Sequence, residues 1–128
     1  MAIIRHGVNE GVGSGQQVLP FAKATEADGW LYVSGQTPMV NGEIIDGGIV
    51  PQAHQAIRNM IEIVKTAGYN VSDIVRVGVW LDDARDFWSF NKVYAEYFGD
   101  HPSARACVQS SLVVDAKVEV DCIAYQQK

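Results

Sequence analysis

Residues 51–81, PQAHQAIRNMIEIVKTAGYNVSDIVRVGVWL, change their hydrophobic period part-way along. Ala53, Ile57, Met60, Ile61, Val64 and Ala67 recur three and four apart, which makes one apolar face of a helix of roughly 17 residues. Pro51 suits a first helical turn, and Gly68 suits the left-handed position just past the end. Beyond it the period falls to two. Val75, Val77, Val79 and Leu81 alternate with Ile74, Arg76, Gly78 and Trp80, as along a strand, and Asp82-Asp83 closes the run.

Working outward, Phe87, Phe90, Val93, Tyr94, Tyr97 and Phe98 form a second, unusually aromatic helical pattern that Gly99 stops. Asp83 and Asp86 resemble a capping arrangement ahead of it. Such a helix needs a large apolar partner, most simply a sheet. Ala104 to Leu112 and Val118 to Tyr125 then read as two strands. The first places Arg105, Cys107 and Gln109 on one face; the second places Glu119, Asp121, Ile123 and Tyr125 opposite Val118, Val120, Cys122 and Ala124. On the N-terminal side, Trp30-Leu31-Tyr32-Val33 follows an Asp28-Gly29 turn, and Asn41-Gly42 marks a tight turn. The order βββ-α-β-α-ββ predicts an α+β fold, a mixed six-stranded sheet with two helices on one face. The other face, read as rich in Val, Cys and Ala, is too apolar for water and points to an oligomer.

The chain has 128 residues, with 10 Lys plus Arg against 15 Asp plus Glu, a net charge of −5. That is the size of a single domain spanning 1–128, which buries about two thirds of its surface on folding. The acidic balance and scattered basic residues argue against a nucleic-acid partner held by phosphate neutralisation. No apolar run approaches the roughly 20 residues that span a bilayer, and the N-terminus lacks a signal-peptide core, so a cytoplasmic protein without a membrane partner is expected. The glycines of residues 7–18 follow too few residues to be a dinucleotide fingerprint and read as a loop.

Arg105, in His101-Pro102-Ser103-Ala104-Arg105-Ala106-Cys107, is the chemically odd residue. A partly buried guanidinium must be paired, and its planar fork suits a carboxylate. That carboxylate belongs either to a substrate or to Glu119 or Asp121 on a neighbouring strand. Glu119 and Asp121 share a face and are able to act as acid and base. Metal binding is disfavoured, because His6, His54 and His101 form no ligand cluster. Cys107 is a nucleophile, a pocket wall or plain core; Gly35, at a strand end, allows close approach to backbone groups. Asn91 is a polar residue in an aromatic helix, a ligand contact or a surface residue.

The stretches Tyr32-Val33-Ser34-Gly35-Gln36-Thr37-Pro38, Asn91 to Phe98, Pro102-Ser103-Ala104-Arg105-Ala106-Cys107-Val108 and Val118-Glu119-Val120-Asp121 resemble the YjgF/YER/RidA family of enamine and imine deaminases. The resemblance covers roughly residues 18 to 126, in the family's motif order. It implies a chorismate-mutase-like fold, a homotrimer with sites in the clefts between subunits, and cofactor-independent hydrolysis of 2-imino acids and enamines of the 2-aminoacrylate kind to 2-keto acids and ammonia. It also implies that Arg105 grips the substrate carboxylate and Glu119 positions or activates water. Gly35 would offer backbone contacts, with Cys107 and Asn91 lining the pocket. Two departures stand out. Phe21, in Leu19-Pro20-Phe21-Ala22-Lys23, keeps the ring of a family tyrosine without its hydroxyl, closer to the aminoacrylate deaminase branch, and Leu112-Val113 replaces a leucine-proline pair. A non-catalytic protein that binds small carboxylates is the main alternative; an endoribonuclease is the weaker one, given the acidic charge.

Overall fold

The helix that opens the decisive stretch runs Ile49–Thr66 (α1), so it begins two residues ahead of Pro51 and keeps the proline in its first turn. Gly68 lies just past its end at φ +94° and donates its N–H to the Lys65 carbonyl at 3.0 Å. The computed structural model describes residues 2–8 and 19–127; the glycine-rich stretch read as a loop lies, apart from Gly7 and Val8, outside the described residues. A 3₁₀ turn at Ala84–Asp86 leads into the second helix, Phe87–Phe98 (α2). Asp83 caps that turn by accepting the Arg85 N–H at 2.9 Å, a role it plays without Asp86.

Eight strands are present among the described residues: β1 Ile4–His6, β2 Ala24–Ala27, β3 Trp30–Gln36, β4 Met39–Val40, β5 Glu43–Ile44, β6 Ile74–Leu81, β7 Ala104–Gln109 and β8 Val118–Tyr125. Six form one sheet in the order β1-β2-β3-β8-β6-β7, and β4 and β5 form a separate hairpin. Its turn holds Asn41 at φ +52° and Gly42 at φ +82°, the left-handed pair that a two-residue hairpin needs. Among the described residues only β6 and β7 pair in parallel, because α2 carries the chain back between them. The sheet is therefore mixed, and the architecture is the expected α+β one.

Two expectations about faces are corrected. Val118, Val120, Cys122 and Ala124 are all at most 3% exposed and face the helices, not the open side. The open face carries Glu119, Asp121, Ile123 and Tyr125, together with Trp30 and Tyr32, which are 41% and 51% exposed. Its apolar character therefore comes from aromatic residues. In β6, a register shift between Ile74 and Arg76 buries Ile74 and turns Val75 out to solvent, so the alternation of valines breaks at its first member. The core between sheet and helices joins Ile57, Met60 and Val64 of α1 and Phe90, Val93 and Phe98 of α2 to the inward residues of β3, β6 and β8. Each such large side chain contributes about 1.5–3 kcal/mol by leaving water.

Candidate active site

Arg105 lies on β7 opposite Val77 of β6, so its side chain shares the helix-covered face with Val77 and Val79. Its Cζ stands 4.7 Å from the Tyr94 ring centroid and 5.8 Å from those of Phe87 and Phe90. Among the described residues no carboxylate pairs with it. The internal pairing with Glu119 or Asp121 fails for a topological reason: β7 and β8 are not neighbours, since β6 runs between them. Contacts with aromatic ring faces contribute about 0.5–2 kcal/mol to a partly desolvated guanidinium and leave its N–H donors without a carboxylate, so the position is able to accept an anion from outside.

Cys107 lies two residues along the same face. Burial pushes its thiol pKa up, more than the positive charge of Arg105 pulls it down. The thiol therefore stays protonated at neutral pH and is a poor nucleophile. Asn91 shares the α2 stripe of Phe87 and Tyr94, four residues after one and three before the other. Its Oδ1 is buried without a hydrogen-bond partner, an orphan acceptor beside the arginine's helix face.

Glu119 belongs to a second set. It sits opposite Trp80 in the β6–β8 register, on the open face of the sheet, and its carboxylate lies over Gly35 so closely that any Cβ there would strike Oε2. Gly35 falls in a bulge where β3 fits Ser34 and Gly35 between the pairs Val33–Cys122 and Gln36–Val120. The Gln36 side-chain amide donates to the Ser34 and Gly35 carbonyls at 3.2 Å, and Ser34 Oγ donates to the Ala22 carbonyl at 2.7 Å. That last bond ties the segment bearing the exposed Phe21 to the bulge. Burial, and then the charge of Asp121, raise the Glu119 pKa. Asp121 in turn lies over Gly78, and burial raises its own pKa more than the Gly78 backbone and Arg76 lower it.

The candidate residues thus fall into two sets: Arg105 and Cys107 on the helix-covered face, with Asn91 on α2, and Glu119 with Gly35 at the bulge on the open face, to which the segment bearing Phe21 is tied. Among the described residues no three His, Cys, Asp or Glu cluster as metal ligands; His6 contacts Glu26 at 3.0 Å and His54 contacts the Tyr97 hydroxyl at 2.6 Å. A cavity of about 490 Å³ between α1 and the β1–β2 edge is lined by His6, Lys23, Asn59 and Glu62 and holds neither set. The sequence reading missed the aromatic seat under Arg105, although Phe87, Phe90 and Tyr94 stand three and four apart ahead of it.

Residues 15–126 match the family described as Endoribonuclease L-PSP. The chain belongs to this family, the YjgF/RidA family. A RutC family protein of Pyrococcus horikoshii is 40% identical over 111 residues, covering 84% of this chain and 88% of that one. The 2-iminobutanoate/2-iminopropanoate deaminase of Homo sapiens is 36% identical over 110 residues, covering 84% of this chain and 80% of the human one. The crystal structure of E. coli TdcF with bound serine superposes with a TM-score of 0.81 at 30% identity, covering 96% and 98% of the two chains. The YjgF/RidA assignment and the α+β fold agree with the resemblance noted in the sequence. As to setting, no helix among the described residues is long and apolar enough to cross a membrane.

Proposed function

We propose that this protein hydrolyses 2-imino acids and their enamine tautomers to 2-keto acids and ammonia, without a cofactor, at sites completed between copies of the chain in a homotrimer. The observation that carries the reading is the Arg105 guanidinium, half-buried over aromatic rings with no carboxylate partner among the described residues. A planar 2-imino acid supplies that carboxylate. The name of the human relative and the serine bound to TdcF support a small substrate of the amino-acid kind.

The chemistry needs orientation and a proton acceptor. Arg105 fixes the carboxylate by its fork and so holds C2 in place. Water held by Glu119 attacks C2; a C–O bond forms, the C=N π electrons move to nitrogen, and Glu119 accepts the proton lost by water and returns it to that nitrogen. The carbinolamine hydroxyl then gives its proton to Glu119, which passes it to the amine as the C–N bond breaks, so that the C=O bond forms and nitrogen leaves as ammonia. No electron sink is required, since the imine carbon is already electrophilic. The raised pKa of Glu119 brings its proton affinity closer to neutral pH, as suits a group that both takes and returns a proton.

The test generates imines in situ with an amino-acid oxidase and traps the remainder with semicarbazide. Wild-type protein is expected to lower the trapped imine and hasten keto-acid formation. Tight binding of keto acids with no acceleration on any imine, 2-aminoacrylate included, would replace this reading with a carboxylate-binding one.

A further inference from the structure

The rings about Arg105 are themselves held from behind. Phe90 is fully buried, and Tyr94 lies against it at 5.7 Å between centroids and against the buried Phe98 at 4.4 Å, with planes 32° apart. The Tyr94 hydroxyl meets Ser103 Oγ at 3.4 Å, on the segment that enters β7 just before Arg105. In a close-packed interior these rings cannot swing aside without disturbing their neighbours. They offer the cation negative ring faces but no lone-pair acceptor of the carboxylate kind. A guanidinium is planar and weakly hydrated, so such a seat holds it by its charge and leaves N–H donors for an incoming anion.

We propose that Tyr94 is a positioning residue for Arg105, and that Phe87, Phe90 and Tyr94 together form a receptor for a guanidinium ion that presents its donors to the substrate carboxylate. The assignment rests on the deaminase reading of the site and goes beyond it. It gives the aromatic stripe of α2 a role in catalysis as well as in the core. A receptor of this kind recognises the guanidinium whether or not a side chain tethers it.

Chemical rescue tests this. Imine hydrolysis by Arg105→Ala is measured with millimolar guanidinium chloride against matched sodium chloride. Activity is expected to return saturably with guanidinium and not with methylammonium. In the Arg105→Ala/Tyr94→Leu double variant, half-maximal rescue is expected to need about tenfold more guanidinium, as a partly desolvated cation–π contact implies. Arg105→Ala/Tyr94→Phe, which keeps the ring, is expected to be rescued like Arg105→Ala alone. In the otherwise intact chain, Tyr94→Leu raises KM more than it lowers kcat. Equal rescue with and without the Tyr94 ring, or no rescue of a folded Arg105→Ala protein, overturns the proposal. Should the Leu variant fail to fold by circular dichroism, Phe87→Leu at the rim takes its place. An inactive wild type would sink the deaminase reading instead. Guanidinium titration of Arg105→Ala and the double variant by NMR then decides the receptor alone: tighter binding with the ring supports it, and equal binding overturns it.

Discussion

Arg105 and Glu119 stand on opposite faces of one sheet. Arg105 shares a face with Val77, its partner in β6, whereas Glu119 is paired with Trp80, three residues further along the same strand. An odd separation along an unbulged strand means opposite faces. The arginine therefore looks toward α2, and the glutamate looks out over Gly35. If both serve one reaction, two copies of the chain must bring them together.

Removal of the guanidinium tests its role directly. Arg105→Ala is expected to lower kcat/KM by roughly 10- to 100-fold, the cost of charge-assisted hydrogen bonds to a carboxylate. Arg105→Lys is expected to recover little, since an ammonium lacks the planar fork. Steady-state kinetics with trapped imine reads both. Because no internal ion pair is lost, circular dichroism should show the fold intact; an unfolded Arg105→Ala protein would return the residue to a structural role.

If Glu119 is the proposed base, it must be ionised to act, and burial with the Asp121 charge raises its pKa, so activity is expected to climb with pH along a limb above the ordinary glutamate value of about 4.3. Asp121→Asn removes the neighbouring charge and should move that limb to lower pH. Stability carries the opposite sign. A carboxyl whose folded pKa is raised leaves the native state holding more protons than the unfolded chain, so stability falls as pH rises through that window. Glu119→Gln should therefore raise Tm at neutral pH by a few degrees, the gain fading once the solution is acidic enough to protonate both states. A Tm gain that does not change with pH would contradict this account.

Gly35 is the seat of the glutamate. A methyl group at this position would strike Oε2, and Gly35 is not among the described glycines with positive φ, so alanine is tolerable to the backbone there. Gly35→Ala is expected to fold and to lower kcat by roughly a hundredfold through a misplaced carboxylate, with a smaller change in KM. Unchanged kcat would mean that Glu119 reaches its working position from elsewhere.

The legible parts of this fold were those where period and punctuation agree. α1 shows six residues three and four apart between Pro51 and Gly68, and its ends fell within two residues. The order of strands was less legible. A short connection from β7 to β8 suggests a hairpin, yet β8 inserts between β3 and β6 and leaves β7 at the edge. Bulges at Val33–Gln36 and Ile74–Arg76 were invisible, because an extra residue leaves no mark in composition and only inverts which side chains are buried. For the same reason Arg105 and Glu119 could be named but not placed. Parity is readable within a strand, and the relation between two strands needs their register.

That relation yields the sharpest prediction. In a homotrimer of the proposed kind, Arg105→Ala and Glu119→Gln would each impair every site of their own ring. If each site joins Arg105 of one copy to Glu119 of the next, every mixed ring contains one intact pair whichever variant is in the majority. Unfolding and refolding the two impaired proteins together should then restore about a quarter of wild-type turnover at random, equal mixing, since about three quarters of the threefold rings are mixed and each has one working site of three. The two proteins assayed together without subunit exchange should show no more than the sum of their residual activities. No recovery after demonstrated exchange would mean that each copy supplies its own pair by a rearrangement of the sheet, or that only one of the two residues acts. Recovery would fix the site between subunits by chemistry alone.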